Sequence, residues 1–154
     1  EDLIFKMRGR LYRWRSEEWK ERGTGEIRLL RGKTQKKIRF ILRQDKTLKP
    51  VANFYINEDP FCDLKPHQGS DKMFFFLAYD CSDEKPEIEK FVVKLGNAEN
   101  AKIFKENFEA AKKFNIDAKA GKELVYAPVV KTDKEEKEDE KKAEEKKEEK
   151  KENK

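Results

Sequence analysis

The side chains best suited to chemistry in this sequence are few and widely spaced. A single histidine, His67, lies in the segment KPHQG, and the two cysteines, Cys62 and Cys81, do not form a CxxC pair. Nucleophilic catalysis needs a base beside the nucleophile, and a structural zinc site needs about four ligands at short spacings. The segment GTGE lacks the Gly-Lys-Ser/Thr ending of a phosphate-binding loop. The sequence therefore predicts no enzyme activity, no catalytic residue, no cofactor and no metal site.

A tryptophan within a run of charges points instead to binding. Trp19 stands in EEWKERGTG, which we interpret as a charged loop followed by a sharp turn. Gly23 and Gly25 would take positive φ in that turn, or would let a partner chain approach closely. The residues alone leave two interpretations of Trp19 open. The indole either closes the end of a small barrel or forms an apolar platform at an interface, where Trp and Arg contribute most of the binding energy.

Charge is distributed unevenly along the chain, which has 154 residues and a net charge of +5. Residues 6–49 contain 16 basic and 5 acidic residues, a net charge of +11. A basic first third predicts an anionic partner such as a nucleic acid, a lipid headgroup or an acidic protein segment. Composition does not choose among these three.

Apolar residues that alternate with basic ones predict a series of strands followed by one helix. Leu3, Phe5 and Met7 face one side of the first strand, opposite to its basic residues. Pro50 predicts an edge strand or a bulge. The predicted strands are LIFKMRGRLYRW, GEIRLLRG, KIRFILRQ, LKPVANFYI, FCDL, KMFFFLAYDC and IEKFVVKL. Helical spacing of apolar residues over 97–114 predicts an amphipathic helix with Asn97 as its N-cap.

These elements predict a mainly β fold of about seven strands, a small partly open barrel or sandwich with its opening covered by the C-terminal helix. We place the folded domain at residues 1–118. Residues 119–154 hold 12 basic and 12 acidic residues, with like charges repeated at i,i+4, and we expect a mostly disordered tail. The longest apolar run, MFFFLAY, is too short to span a membrane, and we expect a soluble intracellular protein.

Five segments in the same order resemble the motifs of the Ran-binding domain family, whose members bind the small GTPase Ran in its GTP form. The residues that carry the resemblance are EWKERGTG at 18–25, IFKMRGRLYRW at 4–14, RQDKTLKPVAN at 43–53, LKPHQGSD at 64–71 and NAENAKIFKENFE at 97–109. Together the segments span most of residues 1–118. The chain is more similar to small members with one such domain than to those that repeat it.

The resemblance implies a pleckstrin-homology-like barrel of two near-orthogonal antiparallel sheets, capped by a helix. It also implies a partner, Ran–GTP, whose released C-terminal segment ends in acidic residues, and transient complexes with the Ran GTPase-activating protein and transport receptors. The implied location is the cytoplasm, with shuttling through the nucleus or association with the nuclear pore. Transferred position by position, the partner-binding residues are Trp19, Lys20, Glu21, Arg22, Gly23, Gly25, Arg43, Lys46, Lys49 and Asn53.

Two alternatives use the same basic strands. A pleckstrin-homology-type domain could bind phosphoinositide headgroups through a patch made of Arg8, Arg10, Lys36, Lys37 and Arg39. Strands that carry arginines and aromatic residues also resemble an OB-type surface for single-stranded nucleic acid. One departure from the family weakens the basic face, since Gln44 stands where a second arginine is usual.

Overall fold

The computed structural model describes residues 1–34, 37–119, 147–149 and 151–153. Its elements are β1 (Asp2–Arg15), β2 (Glu18–Arg31), β3 (Ile38–Gln44), β4 (Pro50–Tyr55), β5 (Lys65–Pro66), β6 (Met73–Asp80), β7 (Glu87–Lys94), α1 (Ala98–Lys119), β8 (Lys147–Glu149) and β9 (Lys151–Asn153). Within these residues, no helix is both long enough and apolar enough to cross a membrane.

The first two strands form a long hairpin closed by a two-residue turn. Ser16 and Glu17 have φ of 55° and 62°, and positive φ at both central residues is typical of the type I′ turn that matches strand twist. The residues on either side of the turn pair with each other, Arg15 with Glu18 and Trp14 with Trp19. The prediction of a charged loop around Trp19 was therefore wrong, because the turn comes before Trp19 and the charged segment is the start of β2.

Gly23 and Gly25 are strand residues, and neither has the positive φ that the sequence suggested. Their role is close packing of the chain against itself. A Cβ atom on Gly25 would lie 2.0 Å from the carbonyl oxygen of Arg43 in β3, and one on Gly23 would lie 3.1 Å from Val51. Such contacts exclude any side chain at Gly25, because the obstructing atom belongs to the backbone.

One antiparallel sheet holds all seven strands of the domain, in the order β4-β3-β2-β1-β7-β6-β5. β1 pairs with β2 along its whole length and with β7 over Arg10–Arg13, so it joins the two halves of the sheet. Register shifts after Leu3 and Leu11 mark irregularities of the kind that let a long strand bend. The predicted seven-stranded, mainly β fold with a C-terminal helix is confirmed. Pro50 begins the edge strand β4, opposite a register shift.

One predicted strand was wrong. The segment FCDL forms turns, and β5 begins after it, at Lys65. Its apolar residues are buried without sheet pairing, since Cys62 is 2% and Leu64 6% exposed. Burial raises the pKa of the Cys62 thiol to about 12, so this thiol stays protonated. A short apolar run did not distinguish a strand from a buried turn.

The core is a set of phenylalanine rings shared by the sheet and the helix. Phe40 of β3 stacks on Phe54 of β4 with ring centroids 4.7 Å apart. Phe40 also meets Phe104 and Phe108 of α1 edge-on, at 6.4 and 6.3 Å. These four rings are all at most 2% exposed. Aromatic pairs in these geometries add about 0.5–1.5 kcal/mol each beyond the burial of their area, so the helix is a structural part of the barrel.

Hydrogen bonds from two asparagines fix the ends of α1. Asn97 accepts a bond from the backbone N–H of Asn100 at 2.7 Å, which confirms it as the N-cap. Near the other end, the buried Asn115 amide accepts from the N–H of Ile38 at 2.8 Å and donates to the carbonyls of Ile38 and Ile56 at 2.8 and 3.0 Å. The helix ends at Lys119, so it continues past the predicted end at residue 114.

The predicted boundary between domain and tail lies at the end of α1, which includes Lys119. Residues 120–146, 150 and 154 lie outside the described residues, so the predicted disorder of the tail stays a prediction. Apart from Lys119, the described residues of the tail form β8 and β9, which pair with each other in a separate parallel ladder.

Replacement of Gly25 by alanine should destabilise the domain by about 3 kcal/mol, because its Cβ would overlap a backbone oxygen of β3 and force the strands apart. Urea unfolding followed by circular dichroism measures the effect. The matched control is Gly96→Ala, whose Cβ would meet only the Asn100 side chain at 3.7 Å and which should change stability by less than about 1 kcal/mol. Equal midpoints for the two variants would contradict the close approach at Gly25.

Candidate functional site

Trp19 is the centre of an aromatic cluster at the tip of the β1–β2 hairpin. Its ring lies 5.1 Å from Trp14 across the hairpin, 5.3 Å from His67 and 6.0 Å from Phe75 of β6. All three contacts are edge-to-face, with interplanar angles of 70°, 80° and 77°. We call Trp14, Trp19, His67 and Phe75 the aromatic cluster.

The exposure of Trp19 bears on the two interpretations that the sequence left open. Trp19 is partly buried, and its partner Trp14 is 36% exposed. The indole is therefore not in the barrel core, whose rings are almost completely buried, and it is held from three sides while part of it reaches solvent. A large amphipathic ring fixed in this way is suited to anchor a partner chain.

The charged residues that follow Trp19 have different surroundings. Lys20 and Glu21 are exposed, and their charged partners, Glu18 at 3.6 Å and Arg10 at 3.9 Å, are exposed as well. Arg22 is 18% exposed and is held internally. Its guanidinium donates to the carbonyl of Val51 at 3.1 Å and to Asp83 at 2.9 Å. Lys20 and Glu21 are thus available to a partner, whereas Arg22 joins β2 to β4 and to the β6–β7 connection.

A buried carboxylate anchors the other strand of the hairpin tip. Glu89 of β7 is 2% exposed and accepts two hydrogen bonds from the Arg15 guanidinium, at 2.8 and 2.7 Å. Arg13 lies 4.0 Å from the same carboxylate and 3.2 Å from Asp83. A two-point arginine–carboxylate contact with little solvent is strong and fixes orientation. We call Arg13, Arg15, Arg22, Asp83 and Glu89 the arginine–carboxylate network.

Asn53 makes hydrogen bonds that connect parts of the domain. Its backbone N–H donates to Asp80 at 2.8 Å, its carbonyl accepts from Cys81 at 2.8 Å, and its side-chain oxygen accepts from Arg39 at 2.7 Å. Asp80 is 3% exposed, and burial is the main reason why the pKa of its carboxyl is raised. The sequence placed Asn53 in the binding site, and the structure gives it a bridging position between β4 and the end of β6.

The second predicted group, Arg43, Lys46 and Lys49, lies around the β3–β4 turn, and all three are exposed. Arg43 donates to the carbonyl of Leu48 at 3.2 Å, and Leu48 is itself 64% exposed. Beside this turn is an open groove of about 740 Å³. We call it the basic groove; its charged lining residues are Lys6, Arg8, Arg28, Arg43, Glu26 and Asp45.

Sequence reasoning missed several of these residues. Lys6 lies opposite Arg28 in the β1–β2 register. The alternation of apolar and basic residues along both strands was the signal from which this cross-strand pair could have been predicted. His67 and Phe75 carried no such signal, because their contacts with Trp19 link separate parts of the chain, whereas Trp14 pairs with Trp19 across the hairpin.

The aromatic cluster and the β3–β4 turn are two separate areas. Gly25 pairs with Gln44 next to the turn, and Trp19 lies six residues earlier in the same strand, about 20 Å away at the usual rise of a strand. The predicted site residues thus extend along β2 instead of meeting at one point. Such a shape suits an extended partner segment better than a small ligand.

The patch proposed for phosphoinositides is not a cluster of free cations. Arg8 donates two hydrogen bonds to Asp45, Arg10 lies near Glu21, and Arg39 donates to Glu1 at 2.8 and 2.7 Å. Lys37 lies over the ring of Tyr55, and Lys36 is outside the described residues. Among the described residues, no group of three or more His, Cys, Asp or Glu side chains is placed to hold a metal ion.

Replacement of Glu89 by glutamine should destabilise the domain by about 2–3 kcal/mol, because an amide cannot accept both guanidinium bonds and leaves a buried polar group mispaired. Thermal and urea unfolding measure the loss. Glu84→Gln provides the control, since it removes the same charge from an exposed position between β6 and β7. If both variants unfold like the wild type, the arginine–carboxylate network does not contribute to stability.

The sequence matches known proteins over most of its length. A family model described as RanBP1 domain matches residues 1–114. The E3 SUMO-protein ligase RanBP2 of Homo sapiens is 42% identical over 113 residues, which cover 72% of this chain and 3% of that protein. The Ran-specific GTPase-activating protein homolog of Dictyostelium discoideum is 42% identical over 116 residues, covering 71% and 59%. The matched region is thus less than two thirds of either relative.

Comparison of structures gives the same fold. The Ran-binding domain of the nuclear complex component Nup2 from Ashbya gossypii superimposes with a TM-score of 0.59 at 20% identity, and the match covers 73% of this chain and 95% of that one. The seven-stranded sheet and capping helix are thus those of a known pleckstrin-homology-like domain. None of these comparisons points to a phosphoinositide ligand. With the family model matched from residue 1 to residue 114, this chain belongs to the RanBP1 domain family.

Proposed function

We propose that this protein binds the GTPase Ran in its GTP-bound form and takes part in nucleocytoplasmic transport. The observation that carries the proposal is the partly buried Trp19, in contact with three rings at the start of the segment that matches the family motif. Relatives whose names refer to Ran binding or to Ran-specific GTPase activation support the choice of partner.

The proposed mechanism is selection of one nucleotide state. The partner's C-terminal segment is free in the GTP state and packed against its own body in the GDP state, so a domain that holds the free segment binds only the first form. Trp19, Lys20 and Glu21 contact the segment at the hairpin tip. The acidic end of that segment then lies along the basic residues Arg43, Lys46 and Lys49. These residues surround the β3–β4 turn, about 20 Å from the hairpin tip measured along β2. Electrostatic attraction of this kind mainly accelerates association.

The remaining candidate residues hold in place the strands that carry the contact surface. Gly23 and Gly25 let β2 lie close to its neighbours, Arg22 fixes the strand against β4, and Asn53 bridges β4 and β6. We assign these four residues to the site as positioning residues, with direct contacts left to the exposed side chains.

The protein acts as an accessory factor and performs no chemistry itself. By holding Ran–GTP, it promotes release of Ran–GTP from transport receptors and hydrolysis stimulated by the Ran GTPase-activating protein. This role places it in the cytoplasm or near the nuclear pore, where Ran–GTP complexes are dismantled.

Titration with Ran should show strong preference for the GTP form, and Trp19→Ala should weaken that binding by about 2–4 kcal/mol, roughly 30-fold or more. Calorimetry with Ran loaded with either nucleotide measures both effects. Trp19→Phe is the matched control, since it keeps an aromatic ring at the same place and should lose less. Equal affinity for the two nucleotide states would exclude the mechanism, and full affinity of the alanine variant would exclude the hairpin tip as the site.

Neutralisation of Lys49 should lower the association rate with Ran–GTP a few-fold at low salt, and the difference should shrink at high salt, because exposed charges act at a distance and are screened. Stopped-flow kinetics of Lys49→Gln measures this. Lys113→Gln on α1 carries the same charge change at an exposed position and serves as the control. Removal of the partner's acidic end should abolish the difference between the two variants; its persistence would place the acidic segment elsewhere.

A further inference from the structure

The tip of the β1–β2 hairpin extends beyond the part of β1 that is hydrogen-bonded to the rest of the sheet. The pairing of β1 with β7 ends at Arg13, whereas the hairpin continues to the turn at Ser16 and Glu17. Trp14 belongs to the hairpin and moves with Trp19. The orientation of the tip relative to the sheet therefore depends on side chains that reach it from other strands.

Two rings of the aromatic cluster come from outside the hairpin. Phe75 is a strand residue of β6, and its ring is 6.0 Å from Trp19. His67 follows β5 directly, and its ring is nearer, at 5.3 Å and nearly perpendicular to the indole. We propose that His67 is a positioning residue that holds the Trp19 indole in its binding orientation. The proposal rests on the proposed function, because that function assigns Trp19 as the anchor.

The backbone around His67 is built to hold its ring in place. The N–H of His67 donates to the carbonyl of Met73 at 3.0 Å, and its carbonyl accepts from the N–H of Ser70 at 2.9 Å. Gln68 and Gly69 follow with φ of 52° and 73°, which makes the connection a tight turn. A ring attached to a turn fixed on both sides makes a rigid support.

A histidine suits this position physically. The residue is half-buried and its ring lies nearly perpendicular to the indole, and an imidazole can pack an apolar edge on an aromatic ring while a ring nitrogen reaches water. Edge-to-face contact stabilises one orientation of Trp19 before the partner arrives. A preorganised anchor loses less conformational entropy on binding, which raises affinity without any contact between His67 and the partner.

The isolated protein tests the geometry without any partner. The chain has two tryptophans, Trp14 and Trp19, so its intrinsic tryptophan fluorescence reports on this cluster alone. His67→Ala should shift the emission to longer wavelength and make the indoles more accessible to a neutral quencher, whereas His67→Phe should remain close to the wild type. Gln68→Asn, in the same turn and with a residue that accepts positive φ, is the control and should leave the emission unchanged.

Binding to Ran–GTP tests the consequence through a double-mutant cycle. His67→Ala should weaken binding about 3- to 10-fold, the range for loss of an aromatic contact, and His67→Phe should restore most of the loss. In a Trp19→Ala background, His67→Ala should have no further effect, because a residue that acts through the indole has nothing left to position.

The outcomes separate the two proposals. If Trp19→Ala weakens binding as expected while His67→Ala changes neither fluorescence nor affinity, the positioning role is wrong and the proposed site stands. If His67→Ala weakens binding equally with and without Trp19, His67 acts independently of the indole, and the inference fails. If Trp19→Ala binds normally but His67→Ala still shifts the fluorescence, the geometry is correct and the proposed binding site is wrong.

Discussion

The pairing of β1 on both of its edges is the constraint from which the rest of the structure follows. Over Arg10–Arg13, one strand is hydrogen-bonded to β2 on one side and to β7 on the other. This short double pairing joins two groups of strands into one sheet that encloses the phenylalanine core. It also leaves the next residues of β1 and the first of β2 beyond the ladder with β7. Trp19 lies there, at a hairpin tip that the Arg15–Glu89 contact and the rings of His67 and Phe75 connect to the rest of the sheet.

The concentration of arginine in the first third of the chain has a structural explanation as well as an electrostatic one. A basic first third would suggest a surface covered with free cations, yet Arg15, Arg13 and Arg22 are engaged with Glu89 and Asp83. Arg15 and Glu89 extend the contact between β1 and β7 beyond their hydrogen-bond ladder, and Arg22 links β2 to the β6–β7 connection, with which β2 shares no ladder. The exposed lysines at the β3–β4 turn and at the hairpin carry the charge that a partner would encounter. Net charge alone therefore overstates the cationic surface available for binding.

Much of the fold was predictable because strand alternation and helical spacing reflect burial directly. Ile38, Phe40 and Leu42 alternate in the sequence and are completely buried in the sheet. The N-cap at Asn97 was predictable for a similarly local reason. The errors occurred where local patterns are ambiguous. The segment FCDL is apolar and buried without being a strand, and Gly23 and Gly25 were assigned to a turn because flexibility is a more familiar use of glycine than close approach.

The sequence by itself determined the family, the order of the elements and which residues form the core, since each depends on residue types at short, regular spacings. Only the tertiary structure decided what surrounds Trp19, where Arg22 points and what Asn53 bridges. Those contacts join residues that are distant in the chain, such as Trp19 with His67 and Arg15 with Glu89. Their geometry depends on strand register and on the bend of β1, and neither quantity is encoded in any single segment.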